Sequence, residues 1–67
     1  MKTSKEGLQY EITITKKCIT FLFSDDTSVI VEHDNLSVCD MDGMMTIPKD
    51  KQRVIDREIS DLKKLIR

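Results

Sequence analysis

A 67-residue chain with 39% hydrophobic and 34% charged residues, two glycines and one proline is bounded to one small globular domain, near the lower limit for a single core. A net charge of −1 and a pI near 5.7 argue against a chain built chiefly to neutralise phosphates. No apolar run approaches the ~18 residues of a membrane span, and Met1–Gly7 lacks the apolar centre of a signal peptide; the expectation is a cytoplasmic protein whose Cys18 and Cys39 are free thiols.

In chain order, residues 1–7 are polar and are expected to form a flexible arm ending at Gly7. From Leu8 the pattern alternates, with Leu8, Tyr10, Ile12 and Ile14 on one side and Gln9, Glu11, Thr13 and Thr15 on the other. That period of two in β-branched residues predicts a half-buried strand. A two-residue turn at Lys16-Lys17 leads to a second strand, Cys18–Phe23, and keeps parity by pairing Ile14 with Ile19, Ile12 with Phe21 and Tyr10 with Phe23.

Ser24-Asp25-Asp26 is the next turn, followed by a strand over Thr27–His33. A three-residue loop sets Val29 opposite Phe21 and Val31 opposite Ile19, whereas a two-residue loop would turn Glu32 into the core. Asp34-Asn35 predicts another tight turn, because both types tolerate the left-handed conformation, with Leu36 and Val38 inward after it. Met41-Asp42-Gly43 is read as the last turn and Met44–Ile47 as a short final strand.

Pro48–Arg67 is the only long helical pattern, with Val54, Ile55, Ile59, Leu62, Leu65 and Ile66 on one stripe. Pro48 suits a first helical turn and Thr46 an N-cap. A helix of this length is marginal alone in water, so its stripe must cover the sheet. The predicted architecture is α+β: an antiparallel meander of four to five short strands over residues 8–47, with one C-terminal helix, 48–67, packed across one face.

Charge is unevenly spread. Residues 18–48 hold six acids and no lysine or arginine, while residues 1–17 carry a net +2 and residues 49–67 a net +3. An up-and-down meander collects Asp25, Asp26, Asp40 and Asp42 at one end of the sheet, and a helix following a last strand would return Lys63, Lys64 and Arg67 to that end.

The chemistry-bearing residues argue against an enzyme. Asp40-x-Asp42-Gly43 lacks the third acidic position and closing glutamate of a calcium loop, so no metal is expected. His33 falls on the inward parity and Cys18 and Cys39 on the outward one, and no zinc-type spacing links them. No phosphate loop or nucleophile motif is present, and no cofactor is implied. On the polar outward face Leu22, Ile30 and Cys39 stand out as a contact patch, with Ile30 placed beside Cys39 and Thr20. The first strand, Leu8–Thr15, is expected to be an open edge. A small core with few aromatics further predicts a homodimer, formed through that edge or the patch.

These features point to a small, non-enzymatic protein-binding regulator or inhibitor, of the kind phages and mobile elements encode. It would use Asp25, Asp26, Asp40 and Asp42 to meet a partner with a basic surface. The alternative is nucleic-acid binding through the helix bases Lys49, Lys51, Arg53, Arg57, Lys63, Lys64 and Arg67. Interleaved Asp50, Asp56, Glu58 and Asp61, and aromatics that all face inward, weigh against it.

Overall fold

The computed structural model of the chain describes residues 1–65. Five strands, β1 (Lys2–Thr3), β2 (Gln9–Ile14), β3 (Cys18–Phe23), β4 (Ser28–Glu32) and β5 (Val38–Asp42), precede one helix, α1 (Lys49–Leu65). The strands form a single antiparallel sheet in sequence order, so the α+β meander with one C-terminal helix is the architecture observed. Ile66 and Arg67, expected on the helix stripe and near the acidic turns, lie outside the described residues.

The central registers follow from side-chain parity. Tyr10 pairs with Phe23, Ile12 with Phe21 and Ile14 with Ile19. Across the next loop Phe21 pairs with Val29 and Ile19 with Val31. The Lys16-Lys17 turn is closed by the Thr15 N–H donating to the Cys18 carbonyl at 2.9 Å, while Thr15 Oγ1 accepts the N–H of Cys18 at 3.1 Å. In the β3–β4 loop Asp26 takes the left-handed conformation, at φ 69°. Asp25 Oδ1 there accepts from the Thr27 N–H at 3.1 Å and its hydroxyl at 2.6 Å, a local bond that suits aspartate to the turn.

The resulting core is Tyr10, Ile19, Phe21, Phe23, Val29 and Val31 of the sheet against Val54 and Ile55 of α1. Leu8, Ile12, Leu36, Met41, Met44, Ile47, Ile59 and Leu62 pack around it. Ile14 and Val38, expected inward, are 53% and 38% exposed. They keep the inward parity but stand at the end of β2 and on the far edge strand, beyond the cover of α1.

Four sequence expectations are corrected. The first seven residues hold a short strand and a turn. Lys2 pairs with Tyr10 and Thr3 with Gln9, and Gly7 turns the chain at φ 87°. Buried Ser4 closes this small hairpin, its N–H donating to the Leu8 carbonyl at 2.8 Å while its Oγ accepts the Leu8 N–H at 3.1 Å. The outermost strand on this side is therefore β1, which covers β2 only as far as Tyr10.

Second, Asp34-Asn35 is not a tight two-residue turn. His33–Leu36 form a four-residue loop between Glu32 and Ser37, whose backbones bond at 2.9 Å. Leu36, and neither Asp34 nor Asn35, adopts the left-handed conformation, at φ 56°. Its side chain packs against the core, and that burial offsets the roughly 1–2 kcal/mol the conformation costs a branched residue.

Third, Met44–Ile47 is not a strand: residues 43–48 form a connection whose Met44 and Ile47 reach the core while Met45 is almost wholly exposed. Fourth, the first helical bond runs from the Gln52 N–H to the Pro48 carbonyl at 2.9 Å, so Pro48 and not Thr46 occupies the cap position.

Candidate interaction surfaces

The direction of α1 decides where charge gathers. Because residues 44–47 form no strand, the helix starts at the acidic end of the sheet instead of returning to it. Lys51, in its first turn, reaches Asp25 Oδ2 at 2.7 Å and Thr27 Oγ1 at 2.6 Å. Glu58 meets Tyr10 near the start of β2, and Leu62 lies beside Ile12 and Ile14 at its far end. Lys63 and Lys64 thus lie toward the Lys16-Lys17 turn, away from the aspartates, which corrects the expected neutralisation. Lys63 and Lys64 are thus separated from the aspartates, while Glu32 and Asp34 lie beside the Lys16-Lys17 turn.

At the acidic end Asp25 is held from inside the protein. The Lys51 side chain is 8% exposed and the Asp25 side chain 56%. The lysine stem is buried, and its ammonium stands 5.0 Å from the centre of the Phe23 ring, a cation over an aromatic face. Lys51 first, and then Thr27, hold the Asp25 carboxyl well below the usual carboxylate range. Asp25 is therefore a clamp residue more than a contact residue.

Asp26 in the β3–β4 loop and Asp42 at the end of β5 are exposed and lie close: a Cβ built on Gly43 would stand 3.1 Å from Thr27 Cγ2 and 3.6 Å from the Asp26 carbonyl oxygen. Asp40 does not join them at the tip. It pairs with Ile30 in mid-strand, and its Oδ1 accepts the neighbouring Met41 N–H at 2.8 Å. Of the four aspartates, then, three lie at the end of the sheet and one along its outer face.

The expected patch of Leu22, Ile30 and Cys39 is also rearranged. Thr20 pairs with Ile30 as anticipated, but Ile30 faces Asp40 and not Cys39. The ladder jumps from Val31–Val38 to Ile30–Asp40, so Cys39 is the extra residue of a β-bulge. Leu22 is 47% exposed and diagonal to Ile30, with Cys39 displaced by the bulge.

A third surface went unread in the sequence. Ile12, Ile14 and Leu62, with Lys2, Glu58 and Asp61 around them, line an open groove of about 350 Å³ between the end of β2 and the C-terminal half of α1. Its rim is ordered by Glu58, which accepts from Lys2 Nζ at 3.1 Å and from the Tyr10 hydroxyl at 2.5 Å. Burial, then this bond to Glu58, pushes the Tyr10 hydroxyl up to about 12. The early end of β1 opens the groove, and the only sequence signal for that was Ile14 extending the inward set beyond the reach of the polar arm.

No enclosed chemistry accompanies these surfaces. Among the described residues no three His, Cys, Asp or Glu side chains converge as a metal site would require, and no buried side-chain nitrogen or oxygen lacks a partner. Cys18 is half-buried, Cys39 exposed, and both are free. No helix is long and apolar enough to cross a membrane. On the helix, Lys51 is buried and Arg57 pairs with Glu6 at 3.3 Å, which leaves Lys49, Arg53, Lys63 and Lys64 interspersed with acids. All three aromatic rings are buried in the core. Comparison with known proteins finds no matching family model, no similar curated protein and no similar solved structure.

Proposed function

We propose that this chain is a small, non-enzymatic protein-binding regulator or inhibitor that works as a homodimer and occupies the surface of a partner protein. Small size and the absence of catalytic motifs suit this reading, and the exposed aspartates left apart from the helix-end lysines support it. Asp26 and Asp42 face solvent at one end, and Lys63 and Lys64 lie toward the other instead of neutralising them. An exposed acidic end on a preorganised turn suits a basic protein surface, including one that otherwise holds nucleic acid, and makes association salt-sensitive. The free thiols fit a reducing cytoplasm, and the size fits inhibitors of the kind phages and mobile elements encode.

Nucleic-acid binding through the helix is the weaker reading. Its stacking rings are buried, and two of its cations are engaged within the protein. The deciding experiment is capture of partners from host lysate, with and without nuclease, using wild type and an Asp26→Asn, Asp40→Asn, Asp42→Asn variant. Asp25 is left in place because Lys51 needs it. A protein partner that survives nuclease and is lost from the variant supports the proposal. Loss of every partner on nuclease treatment, with the variant behaving as wild type, supports nucleic-acid binding instead.

A further inference from the structure

β1 pairs with β2 only through Thr3–Gln9 and Lys2–Tyr10, so beyond Tyr10 the outer edge of β2 has no strand partner among the described residues. Hydrogen-bond alternation tells which groups that edge presents. The Thr15 N–H donates to the Cys18 carbonyl and the Ser24 N–H to the Gln9 carbonyl, so odd-numbered residues of β2 point their backbones toward β3. The Ser4 N–H donates to the Leu8 carbonyl, so even-numbered residues point outward. The open edge therefore offers the N–H and C=O of Ile12 and Ile14. Their side chains meanwhile line the groove beside Leu62.

We infer that this edge takes the same edge of a second copy, in an antiparallel pairing centred on Thr13. The inference rests on the homodimer proposed above and names its surface. With Thr13 on the dyad, Ile12 of each copy faces Ile14 of the other, and each such pair exchanges both backbone bonds. Isoleucine meets isoleucine on the helix side and threonine meets threonine on the other, while Lys16 of each copy reaches the end of the edge that Lys2 of the other occupies.

The lengths agree as well. The edge open to a partner ends where β1 begins, opposite Tyr10, and the incoming strand ends at Ile14, because the chain turns away at Lys16-Lys17. The same register sets Thr15 opposite Glu11 of the other copy, which brings each Lys16-Lys17 turn beside that glutamate. Lys2 and Glu58 on the rim already pair with each other, so Asp61 is the rim charge that remains beside the apolar side chains. Three residues per strand make a small contact, well short of a standard interface, so the dimer is a weak one that forms at high micromolar concentration.

The test uses the full chain with Cys18→Ser and Cys39→Ser as background. Thr13→Cys places two thiols across a non-hydrogen-bonded pair, within the separation a disulfide spans, and mild oxidation should give a covalent dimer. Glu11→Cys places its two thiols about 13 Å apart, four residues along the strand, and should give none. Sedimentation equilibrium of the uncrosslinked protein should show reversible dimerisation, weakened at least tenfold by Ile14→Lys, a substitution at a half-exposed site the monomer tolerates.

A dimer that crosslinks through Leu22→Cys but not Thr13→Cys would keep the homodimer and overturn this surface. A monomer at every concentration would overturn both, while the lysate capture still judges the protein-binding reading on its own. A monomer whose captured partner is lost on Ile14→Lys would show that a strand of another protein takes the edge, which also overturns the inference.

Discussion

The Tyr10 hydroxyl donates to Glu58 Oε2 at 2.5 Å, and through that bond the first long strand is tied to the middle of the helix. Lys2 reaches the same carboxylate at 3.1 Å, so one glutamate holds β1, β2 and α1 together. Tyr10 also stands 6.1 Å from the Phe23 ring, centre to centre, at a tilt of 43°.

Tyr10 is the only tyrosine and there is no tryptophan, so tyrosinate absorbance reports this one site. The folded protein should titrate with a midpoint near 12, above the ordinary value of 10.0. The value is raised by burial first and by the Glu58 bond second, so the neutral hydroxyl's contribution is full below pH 10 and is lost as pH rises through 12. Tyr10→Phe should cost about 1.5 kcal/mol at neutral pH, as for a hydrogen bond to a charged group. In thermal melts its deficit should shrink across that alkaline window, and a constant deficit would show that the bond is not the source.

The Lys51–Asp25 clamp has the opposite sign. A depressed Asp25 value means its contribution is present above the ordinary carboxylate value of 3.8 and is lost as pH falls below it. Asp25→Asn should melt below wild type at neutral pH and converge with it in acid. Lys51→Met keeps the buried stem and should fall between wild type and Lys51→Ala in melting temperature. Equal loss in the two lysine variants would mean that the ammonium contributes nothing.

Helix burial is graded from start to end. Ile55 is fully buried and Leu62 only partly, at the groove. Ile55→Ala should cost about 3 kcal/mol and Ile55→Asp should unfold the domain, because the charge has no partner inside. Leu62→Ala should cost nearer 1 kcal/mol, since part of its surface is already wet. Denaturant titrations of the three variants check the order.

The two glycines separate conformational cost from crowding. Gly7 has φ 87° with nothing within 4 Å of a built Cβ, whereas Gly43 has φ 79° and Thr27 Cγ2 at 3.1 Å. Gly7→Ala should therefore cost about 1 kcal/mol, the left-handed penalty alone. Gly43→Ala should cost more, because Thr27 must also move. Comparable midpoints in urea would show that the loops adjust freely.

The β2–β3 and β3–β4 registers were legible because parity leaves one loop length in each case: any other buries Glu32 or turns Ile19 outward. The position of α1 over the sheet was legible from its stripe. Its direction was not, since reading Met44–Ile47 as a strand added one reversal and sent Lys63 and Lys64 to the wrong end. β1 was hidden because two residues cannot show a period of two, and Ser4 and Gly7 were its only trace. Lys51 carried no signal of its own. A lysine in the first helical turn reads as solvated until tertiary structure supplies Asp25, Thr27 and Phe23. The bulge at Cys39 likewise depends on how β5 meets β4, which no local pattern records.

The brevity of β1 also bears on colloidal behaviour. Two paired residues, one serine-centred turn and the ion pairs of Lys2 and Glu6 are all that shield the outer half of β2. Trimming Met1–Ser4 would lengthen the bare edge from Ile12–Ile14 to the whole strand, an alternating segment rich in isoleucine and threonine with no proline. Such an edge offers its row of backbone groups to any strand that can pair with it. The N-terminal hairpin thus narrows the backbone surface open to strand addition from the whole of β2 to Ile12–Ile14.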